Sequence, residues 1–185
     1  LAGGDISWLI DQGVRKKDIL QYHYPSEKDI EAANLRITFL GYFWKDWSFF
    51  DNGNFSALRG LEIRDDKPWE IGDTFGITAL DEDWVSVNQL LKYLKYGYGK
   101  ATDFLNEEIR TKRITRNEAK ELAKKYDGLC DSHLIDTFCE HIEISLDKFW
   151  EVAVKFTNKE LFNIEFTDTK PIITPKFNLG EDFNE

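Results

Sequence analysis

The chain has 185 residues, 42% hydrophobic and 15% aromatic, enough to bury one sizeable core and too few for two independent domains. Its formal net charge of −10 argues against general affinity for nucleic acid or anionic membrane, and a mean hydropathy of −0.48 with no apolar run of bilayer-spanning length excludes a transmembrane helix. Position 1 is Leu and there is no Met, so the expectation is the C-terminal part of a longer cytoplasmic polypeptide.

Residues 1–25 mix turns with short helical patches and end at Pro25. Ser26, followed three residues later by Asp29, predicts a capping box and a polar helix to about Asn34. The run 36–43 (RITFLGYF) is β-branched and aromatic, which predicts a short buried strand. Ligands of open α/β sheets sit at the C-terminal ends of strands, so Gly41, Tyr42, Trp44 and Trp47 are candidates for a pocket wall. A helical piece is expected around 49–59, then a loop of about twenty residues containing Pro68, Gly72 and Gly76; loops of that length in a compact domain are usually functional or mobile.

Asp81 is expected to cap a helix reaching Tyr96, because Trp84, Val87, Leu90, Leu91 and Leu94 recur at helical spacing, with Asn88, Lys92 and Lys95 on the opposite face. Gly97, Tyr98 and Gly99 break it, and a second helix follows over 101–110. Thr115 and Glu118 form a capping box for a helix over 116–126, stopped by Gly128. Helices over 132–141 and 146–157 complete a helical region at 81–157, the last capped by Ser145. Residues 1–161 are thus expected to form one domain, with 162–185 an extended tail or edge strand marked by Pro171 and Pro175.

Charge is unevenly distributed. Between Lys92 and Lys125 ten basic residues face five acidic ones, so this stretch is +5 and the remainder of the −10 chain is −15. A local positive field on an acidic protein suits a small anionic ligand better than a long polyanion. Within it, Lys95-Tyr-Gly-Tyr-Gly-Lys-Ala-Thr-Asp103 places glycines, hydroxyls and cations at a helix-to-helix junction. Glycines let backbone amides approach an anion and the next helix N-terminus adds a favourable dipole, so phosphate or carboxylate binding is one reading. An ordinary glycine cap followed by a solvated helix start is the other.

Cys130, His133, Cys139 and His141 form a C-x2-H-x5-C-x-H series, but its spacing fits none of the usual zinc patterns; buried thiols and helix-surface histidines are expected, and no metal site. Gly3-Gly4-Asp5 reads as a turn, and there is no Walker loop, GxSxG elbow or local triad signature around His23, His133 or His141. Catalysis by a side-chain nucleophile is not indicated.

The order of blocks over about residues 36–157 resembles the C-terminal half of the N-acetyl sugar amidotransferases, the WbpG and PseA type of PP-loop enzymes in lipopolysaccharide O-antigen and flagellin-glycan pathways. The resembling blocks are Phe39-Leu-Gly-Tyr-Phe-Trp44 with Trp47, the Asp81 helix, Lys92-Tyr-Leu-Lys-Tyr-Gly-Tyr-Gly-Lys-Ala-Thr-Asp103, Glu108-Ile-Arg110, Arg113-Ile-Thr-Arg-Asn-Glu118, Tyr126-Asp-Gly128 and Phe149-Trp150; the run from Lys92 to Gly128 is the specific part. Lys100 stands where the family pattern has Arg, which keeps the charge and loses the bidentate fork. The family's SGGxDS nucleotide loop and its N-terminal cysteine cluster are absent from this sequence.

The resemblance implies an α/β fold, the C-terminal part of a PP-loop, Rossmann-like adenine nucleotide α-hydrolase fold, mostly α-helical here with one or two short strands. It implies an ATP-dependent ligase that converts a sugar acetamido group to acetamidino with ammonia, with Mg2+ accompanying ATP and the ATP loop outside this chain, so that the fragment alone would be inactive. An amide is a poor electrophile, and ATP supplies the activation that no side chain could, leaving the protein to position groups and stabilise charge. On that basis Lys95 and Lys100 are the expected catalytic residues. Lys92, Gly97, Tyr98, Gly99, Thr102, Asp103, Arg110, Arg113, Arg116, Tyr42 and Trp44 are the expected substrate or phosphate contacts. Arg110 and Arg116 have an alternative as surface ion-pair partners of Glu107, Glu121 and Asp127, Thr102 as a helix cap, and Tyr42, Trp44 and Trp47 as core. The implied partners are a nucleotide-activated N-acetyl sugar and a glutaminase with a barrel-type ammonia-supplying subunit, with no nucleic acid and no membrane. A PP-loop enzyme acting on tRNA and a non-enzymatic helical interaction module are the competing readings.

Overall fold

A computed structural model of the chain describes residues 6–22, 25–44, 47–167 and 170–179. Contacts divide the chain into two compact units, 1–45 and 46–185. One domain over 1–161 was the expectation; the division falls instead between Lys45 and Asp46.

The first unit holds α1 (Ser7–Asp11) and α2 (Glu27–Ala32), with 3-10 turns at Lys16–Asp18, Leu20–Tyr22 and Leu40–Tyr42. The expected capping box starts α2: the Ser26 hydroxyl accepts from the Asp29 amide, and the Asp29 carboxylate accepts from the Ser26 amide. The expected buried strand over 36–43 does not form. That stretch runs irregularly into the 3-10 turn, with Ile37 and Phe39 each 77% exposed. Composition marks a segment able to form a strand, but a strand also requires a neighbour to take its amides and carbonyls, and among the described residues no ladder reaches this one.

The second unit holds α3 (Phe49–Ala57), α4 (Pro68–Ile71), α5 (Val85–Tyr96), α6 (Lys100–Arg110), α7 (Arg116–Tyr126), α8 (Ser132–His141), α9 (Leu146–Phe156) and a hairpin of β1 (Phe162–Phe166) and β2 (Pro171–Pro175). The chain is therefore mostly helical with one small antiparallel sheet, whose register pairs Ile164 with Ile173. The supposed tail is part of the core: Phe162 is 1% exposed and packs edge-on against Tyr93. Part of the expected loop is helical, because Pro68 sits at the first turn of α4, where its missing N–H costs nothing, and Gly72 closes it left-handed. Asp81 is not a cap; it lies in a turn, and α5 begins at Val85 after Trp84.

Two clusters make the core. Leu90, Leu94, Leu134, Ile135, Phe149 and Ala153 join α5, α8 and α9, each from one apolar helix stripe. Ala101, Leu105, Ala119, Ala123 and Tyr126 join α6 and α7, whose alanines allow close approach. Cys139 is a core thiol, and burial pushes the Cys130 thiol up to about 12, so neither is a ready nucleophile. Among the described residues no helix is long and apolar enough to cross a membrane.

Candidate functional site

Helix α6 carries the chemistry. Its inward face presents Ala101, Phe104 and Leu105 but also buries Lys100, Glu107 and Glu108. Each charge has a partner delivered by another element. Asp73, held at the end of α4 and 1% exposed, puts Oδ2 at 2.8 Å from Lys100 Nζ, while its Oδ1 accepts from the Phe75 amide at 2.9 Å. Glu107 Oε2 accepts from the Phe49 amide at the start of α3. Glu108 grips Arg113 through two parallel bonds of 2.7 and 2.8 Å.

Arg113 is the hub of that network. It also donates to Asp51 Oδ2 at 2.7 Å and Ser48 Oγ at 2.8 Å, so four of its five N–H groups are engaged among the described residues. Paired first with Glu108 and then with Asp51, the guanidinium is held above its ordinary pKa; the Ser48 hydroxyl and Arg113 together hold the Asp51 carboxyl below its own.

The glycine junction is an anion site whose anion belongs to the chain. At the start of α6 the Thr102 amide donates to Asp127 Oδ1 at 3.1 Å, and the Thr102 hydroxyl donates to Asp127 Oδ2. A Cβ on Gly99 would lie 2.9 Å from that same Oδ1, so glycine is required there for the carboxylate to seat. Gly128 is likewise constrained: its φ is +78°, and a Cβ would meet the Tyr93 ring at 2.3 Å. Burial, with the Asp127 charge adding to it, pushes the Tyr93 phenol up to about 12, so it remains a neutral donor at physiological pH. Of the two readings of this junction, an anion does sit at the helix start, and it is a buried side chain of the chain itself. The Thr102 end of α6 therefore does not fit a nucleotide triphosphate, and no step of ATP chemistry belongs to it.

Other anticipated residues are dispersed. Lys92 pairs with Asp103 and lies 4.5 Å from the Tyr98 ring centre, which brings three of them together on the outer side of the junction. Lys95 points to the exposed Phe156 ring at 5.5 Å. Gly97 closes α5 in the left-handed conformation and is buried. Arg110 and Arg116 are exposed, and among the described residues neither makes the ion pairs considered for it with Glu107, Glu121 or Asp127. Trp44 is 67% exposed at the end of the 3-10 turn rather than beside a strand end, and the Tyr42 side chain lies outside the described residues.

Two cavities flank this region. One of about 250 Å³, lined by Leu90, Tyr93, Ile135, Trp150 and Ile173, sits among α5, α8, α9 and β2. The other, about 410 Å³, is walled by Phe50, Phe75, Leu105, Leu122 and Tyr126, with Thr74, Glu108 and Arg113 supplying polar atoms. Phe50 and Phe75, with ring centroids 5.0 Å apart, line it, and Phe75 continues outward into a row of edge-to-face contacts through Phe104 and Phe49 to Trp47 at spacings of 5.2 to 6.0 Å. Asp73, Thr74, Phe75 and Phe50 escaped the sequence reading. The available signal was the long loop with its glycines, flagged as functional by length alone.

In comparison with known proteins, the family model for the C-terminal domain of WbpG-like LPS biosynthesis proteins matches residues 59–172. No curated protein and no solved structure matches. The matched stretch takes in α4 to α9, β1, the Lys100–Asp73 and Thr102–Asp127 pairs and Arg113 with Glu108, and it covers well over half of the 185 residues. The chain belongs to the family of WbpG-like C-terminal domains of LPS biosynthesis proteins.

Proposed function

We propose that this chain is the substrate-handling C-terminal part of an ATP-dependent N-acetyl sugar amidotransferase acting in surface polysaccharide synthesis. The family match over 59–172 carries the reading. In the overall conversion the amide oxygen of an acetamido group leaves with AMP and ammonia takes its place, giving acetamidino, AMP and pyrophosphate. ATP supplies the activation of the amide. The parent polypeptide receives ammonia from a glutaminase through a barrel-type subunit and works in the cytoplasm on a nucleotide-activated sugar.

This chain's residues position the sugar nucleotide. Half-buried Lys92 groups with exposed Tyr98 and Asp103, and Lys95, Arg110 and Arg116 are exposed cations suited to phosphate. Lys100 and Arg113 act as positioning residues, since their charges are held by Asp73 and by Glu108 and Asp51. The test is to supply the full-length polypeptide carrying this domain with ATP, ammonium and nucleotide-linked N-acetyl sugars. AMP release with a product that has exchanged oxygen for NH supports the reading, and a Lys92→Ala, Lys95→Ala double variant should raise KM. Absence of AMP release with every N-acetyl sugar, from a folded protein, overturns it.

A second reading has its own observation. Within the first unit Ile37, Phe39 and Leu40 are each more than half exposed, apolar surface of the kind an interaction module presents.

A further inference from the structure

We infer that the cavity between α3, the 73–75 turn, α6 and α7 is the pocket for a neutral, amide- or hydroxyl-bearing sugar ring, separate from the surface that receives phosphate. The inference rests on the sugar reading for the identity of its ligand and on the cavity itself for its location and charge class.

Volume is the first argument. At about 410 Å³ the cavity lies in the range of small-molecule sites and has room for a monosaccharide residue. Its walls are the second. Phe50, Phe75 and Tyr126 provide aromatic surface of the kind on which the apolar faces of a pyranose pack, with Phe50 and Phe75 held at 5.0 Å from each other.

Polar chemistry is the third argument, and the most specific. The Thr74 hydroxyl is shut off from solvent and has no hydrogen-bond partner among the described residues, although it lines this cavity. A buried hydroxyl left unpaired costs about 1–3 kcal/mol, a cost that a ligand hydroxyl or amide would remove. Beside it, Arg113 retains one unengaged N–H among the described residues, a donor suited to a carbonyl oxygen.

Charge then excludes the alternative ligand class. The charged lining is one base and one acid, Arg113 and Glu108, and Asp51 pairs with Arg113 from outside the lining, so the cavity offers phosphate no uncompensated cation. The Lys100 ammonium nearby is neutralised by Asp73. A nucleotide sugar would thus place its uncharged ring here and its diphosphate elsewhere.

The experiment follows amide shifts of the 185-residue chain during titration with N-acetyl-D-glucosamine, and in parallel with UDP, for the wild type and for Thr74→Val. That substitution keeps shape and removes only the hydroxyl, and since the hydroxyl has no partner among the described residues the variant should melt at or above the wild-type temperature. Expected are shifts at Thr74, Phe75 and Tyr126 with the N-acetyl sugar and none there with UDP, and a Kd raised about tenfold in Thr74→Val, the equivalent of one neutral hydrogen bond. No sugar-induced shift at these residues, equal affinity of the variant, or UDP shifts at the same three residues would each overturn the assignment. The readout is binding. Turnover can fail in the full-length polypeptide while this pocket stands, and the pocket can fail while turnover stands.

Discussion

In the bundle of α5, α8 and α9 the buried residues are almost all apolar, from Val87 to Ala153, and no charged side chain on these helices is buried among the described residues. The buried face of α6 is built differently: Lys100, Glu107 and Glu108 share it with Ala101, Phe104 and Leu105. Apolar burial stabilises without needing a particular partner, whereas each buried charge demands a counter-group at a fixed place. The α6 face therefore forces Asp73, Phe49, Arg113 and their loops into one arrangement, and it is there that a polar-edged cavity opens. The bundle holds the fold; the α6 face specifies a geometry.

Asp73→Ala should break the second kind of packing most severely. It leaves the Lys100 ammonium buried without its partner, and a loss of about 3–5 kcal/mol in a denaturant melt is expected. Replacing both partners, Asp73→Leu with Lys100→Met, should recover most of that loss. A double variant as unstable as the single one would show that the pair contributes stability rather than specificity.

The bundle answers differently. Leu94→Ala should cost about 2–5 kcal/mol through lost burial and the cavity left behind, with the α6 network unchanged by NMR. Broad shift changes around Arg113 in that variant would mean that the two regions are not separable.

Asp127→Ala should cost about 1–3 kcal/mol, because the part-buried Thr102 amide loses its acceptor. The same change empties the anion position at the start of α6, so sulfate should raise the melting temperature of the variant more than that of the wild type. Equal responses to sulfate would remove Asp127 as the internal occupant of that position.

The smallest effect is expected at alkaline pH. The folded-state pKa of Tyr93 is raised to about 12, from an ordinary 10. Its contribution is therefore fully present below about pH 10 and is lost as pH climbs toward 12; allowing for solvent screening it amounts to no more than about 2 kcal/mol. Tyr93→Phe should flatten that stretch of the stability curve, which urea melts between these pH values would reveal.

Much of the helical order was legible because its signals are local. Ser26 with Asp29, Thr115 with Glu118, and Ser145 all cap helices within a turn of their own position. The charge excess from Lys92 to Lys125 was equally visible, yet its meaning was not. Sequence shows that Lys100 and Arg113 are cations, but not that Asp73 and Asp51, tens of residues away, will neutralise them. The run 36–43 failed for a related reason, since strand pairing depends on a neighbour that no local pattern supplies.

By itself, then, the sequence determined the capped starts of α2, α7 and α9 and the apolar faces of the later helices, and it offered an anion at the Gly97 to Thr102 junction as one of two readings, because capping, periodicity and helix dipoles act over a few residues. Tertiary structure alone decided that the anion is Asp127, that Lys100 and Arg113 are held by carboxylates, and that a polar-edged cavity opens beside Thr74. Those outcomes depend on which distant groups burial brings together, and desolvation makes the nearest available counter-charge the one that is used.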